Sequence, residues 1–295
     1  MKEALDFGAQ VKQLQNHKII IENEEFAEAI LKRINYYRLL GYFLPFKDKY
    51  SDTYPKIVFE NVIKIYEFDA EMRTLLFELI EKIEEPIRTQ ISNYHGIKRG
   101  ALGYYSPEWF ERGDWHCEFL GEIARTVKRN SDKKSPHPVF KHHNEKYGGR
   151  YPIWVIADFL TLGTLSRFYS NMIIADRKRI ACKLGYGETQ LKSWLRCLTD
   201  LRNQCAHYSR LYYWTFSSIP ASPSHIGARW GDLAEQRLFV QIMMLKFMYL
   251  DKDKWDSTIA TRVICLIENY SPYIKLEHLG FPENWKALLL NKEVA

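Results

Sequence analysis

The segment ETQLKSWLRCLTDLRNQCAHY, residues 188–208, indicates the fold most directly. It lacks proline and glycine, and its apolar residues recur at helical spacing, which predicts an amphipathic helix with one buried face. These apolar residues are Leu191, Trp194, Leu195, Leu198, Leu201 and Cys205. Similar patterns cover most of the chain, and no useful stretch alternates apolar and polar residues as a strand would. We therefore predict an all-α, multi-helix globular protein.

Caps and helix breakers delimit the other predicted helices. Asn23 is a good N-cap, Gly41 and Pro45 are stop signals, and Ser106-Pro107 has the composition of a helix start. The predicted helices cover residues 24–40, 56–83, 106 to near 130, 152–171, 176–184, 188–208, 232–249, 255–269 and 282–290. Residues 130–150 and 216–231 are predicted loops that could close over a substrate.

No linker convincingly divides the sequence. We interpret residues 1–295 as one all-helical unit with an N-terminal part at about 1–100, the motif helix at about 188–210 and a C-terminal part at about 232–292.

The polar face of the predicted helix 188–208 carries residues that can bind and act on a phosphate. At about 100° per residue, Arg196, Asn203, His207 and Arg210 fall within roughly 60° of one another, and Asn203 and His207 are one turn apart. Arg202 lies near the edge of the apolar stripe, about 7.5 Å along the axis from His207. Its side chain must curl towards the histidine or reach a phosphate shared with a second subunit. Since arginine binds phosphate and imidazole transfers protons near neutral pH, the segment predicts RNA cleavage without a metal ion.

The arginine–histidine spacing is weak evidence by itself. An arginine followed after four to six residues by a histidine occurs at Arg202/His207 and at Arg88/His95, about as often as chance predicts. Arg88 is followed by Thr89 and lies where Pro86 should disturb a helix. We therefore interpret Arg88/His95 as a coincidental match.

Composition and charge restrict the class of protein. A chain of 295 residues with 46% hydrophobic and 15% aromatic residues is a folded globule. The formal net charge is +6, and the cations cluster, which suits a polyanion, although a solvated charged face explains any one cluster as well. The predicted RNA-binding residues are Arg196, Arg210, Lys128, Arg129, Lys133 and Lys134.

Other chemistries find little support. The sequence has five cysteines and no Cys-x-x-Cys pair, which indicates a protein of the reducing cytoplasm. Residues 1–15 do not resemble a signal peptide, and the apolar run 238–250 is too short to span a membrane. Neither His116-Cys117 nor the group His137, His142 and His143 has a second half that would complete a metal site, so we expect no metal and no cofactor. Cys205 is predicted to pack in the core. The aromatic segment 35–43 is either core or a base-stacking surface.

Five blocks of the sequence resemble, in order, the signature blocks of the bacterial Abi-like proteins of the AbiD/AbiF type. The blocks are INYYRLLGY at 34–42, PF at 45–46, PIWV at 152–155, LGTLSRFY at 162–169 and LRNQCAHYSRL at 201–211. The resemblance implies a toxin-like abortive-infection protein with a HEPN ribonuclease domain, whose motif Arg202, Asn203 and His207 match. It also implies a homodimer with a composite active site, and in some relatives a structured noncoding RNA that restrains the protein.

The resulting hypothesis is attack of a ribose 2′-OH on the adjacent phosphorus. His207 would act as general base or acid, Arg202 would hold the scissile phosphate, Asn203 would orient the imidazole or bind the phosphate, and Arg196 and Arg210 would attract the RNA backbone. Two alternatives remain open. The protein could bind RNA, including a structured noncoding RNA, without cutting it, or Asn203 and His207 could simply bond to each other on a solvated face.

Overall fold

The computed structural model describes residues 3–131, 134–223, 233–234 and 236–290, and this part of the chain is helical with no strand. The prediction of an all-α protein is confirmed. Two isolated bridges, Ile20 with Val58 and Phe110 with Met172, are the extended pairings within the described residues. All six apolar residues predicted for the helix at 188–208 are buried.

The α-helices of the described residues are α1 Phe7–Asn16, α2 Glu24–Leu31, α3 Tyr36–Phe43, α4 Phe59–Arg99, α5 Gly113–Ser131, α6 Pro138–Tyr147, α7 Ile153–Ile156, α8 Leu162–Asn171, α9 Ile174–Lys183, α10 Glu188–Ala206, α11 Leu238–Met248, α12 Lys252–Lys254, α13 Ala260–Asn269 and α14 Trp285–Leu289. Three of these helices, α4, α5 and α10, are long, and the others have at most 11 residues. Five residues of π-helix, Trp255–Ile259, join α12 to α13.

The chain forms two compact units. The first consists of Met1–Glu78, Asn203–Ser217 and Gly231–Ala295, and the second of Leu79–Arg202 and Ser218–Trp230. Two of the boundaries between the units lie inside helices rather than in linkers: one falls after Glu78 in α4, and the other falls after Arg202 in α10. The parts predicted at 1–100, 188–210 and 232–292 remain predictions.

The core of the first unit is built from α3, the first half of α4 and the C-terminal helices. Phe43, Phe68 and Met72 are fully buried there. Helix α11 is apolar on all sides, and all of its residues except Phe247 are buried, as expected of a central helix. Lys246 in its middle donates from Nζ to the carbonyl of Leu288, and burial lowers the pKa of this lysine to about 8.

The second unit has an aromatic core between α5 and α8, where Phe119 stacks on Phe168 at 4.5 Å between ring centroids. Not all of the cations of the sequence lie on the surface. Arg177 is buried and pairs with Glu111 at 2.8 Å and with Glu188 at 2.5 Å. This arginine is therefore a structural residue rather than a surface cation.

Several predicted helices have different ends in the structure. The helix predicted at 24–40 is two helices, because the side chain of Asn35 accepts the N–H of Tyr37 at 3.0 Å and starts α3 as an N-cap. Conversely, α4 continues through Pro86, where a break was predicted. Ile83, Ile87 and Ile91 remain buried across this position, and their burial offsets the cost of the proline.

The remaining differences concern loops and helix starts. Residues 130–150, predicted as a loop, contain α6, which Pro138 begins and Gly148 ends in the left-handed conformation. Ser106-Pro107-Glu108 opens a single 3₁₀ turn, Pro107–Trp109, and α5 begins only at Gly113. The helix predicted at 152–171 is interrupted before α8, and 224–231 of the loop predicted at 216–231 lie outside the described residues.

Candidate functional site

Helix α10 ends just before His207. The N–H of His207 still bonds to the carbonyl of Asn203 at 3.0 Å, but Tyr208 is left-handed, with φ of 56°. The N–H of Tyr208 bonds to Cys205 at 3.2 Å and that of Ser209 to Gln204 at 2.9 Å, which is the Schellman pattern of helix termination. His207 is therefore the C-cap residue, whereas the sequence pattern placed the end of the helix at Tyr208.

A buried carboxylate fixes the backbone that follows this helix end. Asp69, on α4, is fully buried and accepts the N–H of Leu211 at 2.9 Å and that of Tyr212 at 2.8 Å. These two bonds satisfy backbone donors that would otherwise be orphaned in the interior, which would be costly. Asp69 thus holds the chain in place four residues beyond His207.

Arg73 and Tyr42 complete the surroundings of Asp69. Arg73 donates to Asp69 at 2.6 Å and to the carbonyl of Ser209 at 3.3 Å, and the hydroxyl of Tyr42 donates to Asp69 at 2.7 Å. Burial raises the pKa of the Asp69 carboxyl, while the charge of Arg73 and the hydrogen bonds oppose that rise. The network joins α3, α4 and the segment after α10 within the first unit.

Asn203 and His207 themselves are exposed. No hydrogen bond or ion pair involves the His207 ring within the described part of the chain, so its side chain is not bonded to that of Asn203. Next to it, Arg38 on α3 donates to the carbonyl of Tyr208. The result is an accessible imidazole on a rigidly held helix end.

The structure corrects the predicted position of Arg210. Because α10 ends at Ala206, Arg210 does not share the helical face of His207 and lies in the segment after it. Its guanidinium sits beside Gly41, where an added Cβ would be 3.7 Å from Nη1. Nη1 is buried and has no hydrogen-bond partner among the described residues, and burial lowers the pKa of Arg210.

The other two predicted arginines of α10 belong to the second unit. Arg202 is half-buried and Arg196 is exposed. Arg196 lines an open cavity of about 780 Å³ together with Lys192, Arg125 and Arg167. Arg125 pairs with Glu122 and Arg167 with Glu118, both on the wall of the cavity, whereas Lys192 and Arg196 form no ion pair within the described chain.

The predicted basic residues near the end of α5 lie on the surface of the second unit. Lys128, Arg129 and Lys134 are exposed, and Lys133 lies outside the described residues. Their role in RNA binding stays a prediction.

The residues that hold the site were not predicted from the sequence. Asp69 and Arg73 are charged, yet they lie one turn apart among the buried residues Phe68, Met72 and Leu76 of α4. Charged residues on the apolar stripe of a helix require buried partners. That pattern could have identified them from the sequence, although their partners could not have been named.

Alternative chemistries can be judged from the same structure. Burial raises the pKa of the Cys205 thiol to about 12, which makes it a poor nucleophile. His116 bonds to the carbonyl of Tyr104 at 2.8 Å and His143 to that of Arg150 at 2.9 Å. The described residues contain no group of three or more histidine, cysteine, aspartate or glutamate side chains placed to bind a metal ion. In the same residues, no helix combines the length and hydropathy needed to cross a bilayer.

The chain matches a family model described as Abi-like protein over residues 29–213. The match includes α3, the whole of α4 and the end of α10. No curated protein and no solved structure matches the chain significantly.

Proposed function

The chain belongs to the Abi-like protein family, and from this premise we propose that it is an abortive-infection protein that cleaves RNA as a HEPN-type, metal-independent endoribonuclease. The observation that supports this most is the exposed His207 at the end of α10, one turn from Asn203, on a backbone held by the buried Asp69. An accessible imidazole on a rigid support is what general acid–base catalysis requires.

The proposed reaction is a transesterification. His207 removes the proton from a ribose 2′-OH, whose oxygen attacks the adjacent phosphorus. The bond from phosphorus to the 5′ oxygen breaks, and that oxygen takes up a proton. The products are a 2′,3′-cyclic phosphate and a 5′-OH end. Arg202 holds the scissile phosphate and stabilises its charge, and Asn203 orients the imidazole or the phosphate.

Two further features belong to the proposal. The protein acts in the cytoplasm as a homodimer in which a second copy of the end of α10 completes the active site and supplies the second proton transfer. RNA is its substrate, and a structured noncoding RNA is its antitoxin. Light scattering of the purified protein tests the dimer directly, because a monomer that cleaves RNA would refute the composite site.

Incubation of total RNA with wild type and with His207→Ala, followed by sequencing of the new ends, tests the reaction. Loss of the imidazole should reduce cleavage by at least about 100-fold and abolish growth toxicity, whereas the exposed surface position should leave the circular dichroism spectrum and oligomeric state unchanged. His142→Ala, another exposed histidine, is the matched control and should cleave normally. Full cleavage by His207→Ala, or complete loss of wild-type cleavage in EDTA, would refute the proposal.

A second candidate function is RNA binding without cleavage. Two observations favour it: Lys192 and Arg196 line the cavity of the second unit and form no ion pair with any described residue, and Lys128 and Arg129 are exposed. Under this alternative, RNA binds in a salt-dependent manner and no new ends form. The sequencing experiment therefore separates the two functions.

A further inference from the structure

Tyr208 adopts a backbone conformation that is unusual for its residue type. It occupies the left-handed position that ends a Schellman motif, with φ of 56°. Glycine is the usual residue there, because a Cβ is sterically disfavoured in this conformation, by roughly 1 kcal/mol. A large aromatic residue at this position needs an explanation that local backbone preference does not supply.

The surrounding hydrogen bonds hold the backbone of Tyr208 in this conformation. Arg38 donates to its carbonyl, the N–H of Ser209 bonds to Gln204 at 2.9 Å, and Arg73 donates to the carbonyl of Ser209 at 3.3 Å. Strained conformations persist where the surroundings over-determine them, and they concentrate at functional sites. The side chain of Tyr208 is consequently presented from a fixed backbone, directly after His207.

Packing does not explain the tyrosine ring. The residue is 69% exposed, and its ring contacts no other aromatic ring or cation in the described part of the chain. Tyr213 provides the contrast, because it has the same φ of 56°. The guanidinium of Arg237 lies 4.8 Å from the ring centroid of Tyr213, and the His278 ring lies 5.0 Å from it. Tyr213 thus has a packing role that Tyr208 lacks.

We propose that the ring of Tyr208 is a stacking platform for a nucleobase of the single-stranded RNA bound at His207. This inference rests on the proposed function insofar as RNA is the ligand. The exposed aromatic ring of Tyr208 offers a surface for a base, and Arg38, whose guanidinium is bonded to the backbone carbonyl of the same residue, supplies a cation for the RNA backbone nearby. Stacking of this kind tolerates any base, so Tyr208 contributes affinity and position rather than sequence specificity.

The test uses the His207→Ala variant as background, because the RNA then remains intact. The probe is a fluorescently labelled 12-nucleotide single-stranded RNA of mixed sequence, and its binding is measured by fluorescence anisotropy. Adding Tyr208→Gly should weaken binding about 5- to 150-fold, the range that stacking on one base provides. Adding Tyr208→Phe, which keeps the ring, should change binding less than about twofold.

Thermal unfolding separates this role from a structural one. Glycine is favoured at this backbone position, so Tyr208→Gly should unfold at a temperature no lower than its background protein. Lys18→Gly is the matched control, because Lys18 ends α1 with the same Schellman pattern, with φ of 63°, and is also exposed. Lys18→Gly should be at least as stable as its background protein. Its RNA affinity should lie within about threefold of that protein's, because losing one charge weakens binding by about this much.

Three outcomes would overturn the proposal: no RNA binding by the background protein, binding by Tyr208→Gly within twofold of it, or equal loss in Tyr208→Phe and Tyr208→Gly. Failure of the proposed function gives a different result. In that case the Tyr208-dependent binding remains, and wild type yields no cleaved ends.

Discussion

Asp69 accepts the backbone N–H of Leu211 at 2.9 Å, although 142 residues separate them in the sequence. The bond lies in the interior of the first unit, and a second bond from Tyr212 to the same carboxylate lies beside it at 2.8 Å. Through them, α4 fixes the segment that leaves the exposed end of α10. The position of His207 therefore depends on a residue that never touches the solvent.

Asp69→Asn should destabilise the protein by about 3–5 kcal/mol, because it leaves the buried Arg73 without its counter-charge. Urea unfolding measures the change, and cleavage by the folded fraction should also fall because the backbone after His207 loses its anchor. Glu78→Gln is the control. Glu78 lies on α4, as Asp69 does, and its replacement breaks an exposed pair with Arg262 of α13, which should cost less than about 1 kcal/mol. If Asp69→Asn lowered the free energy of unfolding no more than Glu78→Gln does, the anchoring role of Asp69 would be contradicted.

Arg210→Met should affect stability and RNA binding in opposite directions. The buried guanidinium nitrogen of Arg210 has no partner in the described chain, so an apolar side chain of similar length should maintain or raise the free energy of unfolding. RNA affinity should fall about tenfold, because a charge-assisted hydrogen bond to a phosphate is lost. Anisotropy titration and urea unfolding give the two values. A destabilised variant with unchanged RNA affinity would show that Arg210 is purely structural.

Arg196→Ala should weaken RNA binding in a manner that depends on salt. Losing one phosphate contact should reduce the slope of log affinity against log salt concentration by about 1. Arg167→Ala is the matched control in the same cavity, since Arg167 is already paired with Glu118 and should change the slope little. Equal slopes for wild type and Arg196→Ala would exclude a phosphate contact at this residue.

His95 should make the stability of the protein depend on pH below neutrality. Burial lowers the pKa of this histidine to about 4, and neither ring nitrogen has a hydrogen-bond partner in the described chain. In the unfolded chain its pKa is about 6.5, so between pH 6.5 and 4 only the unfolded state takes up the proton. The contribution of His95 to the free energy of unfolding is therefore complete above about pH 6.5 and is progressively lost as the pH falls towards 4.

Protonation of His95 in the unfolded state should lower the free energy of unfolding by about 2 kcal/mol between pH 7 and pH 5. Comparing urea unfolding of wild type and His95→Phe at the two pH values isolates it, because phenylalanine keeps the aromatic packing against Phe168 and cannot be protonated. If both proteins lose the same stability, the pH dependence arises from other groups.

The helical class and the buried face of α10 could be predicted because they depend on local spacing. Trp194 and Leu198 repeat at the helical period, and both are completely buried. The ends of helices were predicted less well. Pro86 does not interrupt α4, because buried neighbours on both sides compensate for it, and the sequence alone gives no measure of that compensation.

The candidate site divides in the same way. Asn203 and His207 could be selected because they are one turn apart on a polar face, and both are exposed in the structure. Arg210 was misplaced, because the helix ends at a left-handed tyrosine that helical periodicity does not reveal. The anchor formed by Asp69 and Arg73 was missed, because its backbone partners are distant in the sequence and carry no side-chain signal.

The first unit is assembled from Met1–Glu78, Asn203–Ser217 and Gly231–Ala295, and this arrangement has a consequence for the timing of synthesis. His207 is translated well before the last of these segments. Because domains fold as units while the chain is being made, the unit that carries His207 is complete only after that segment has been added. If cleavage at His207 injures the cell that makes it, the nascent chain should be harmless until this last segment has been translated, and premature termination within it should yield a fragment in which the first unit is incomplete.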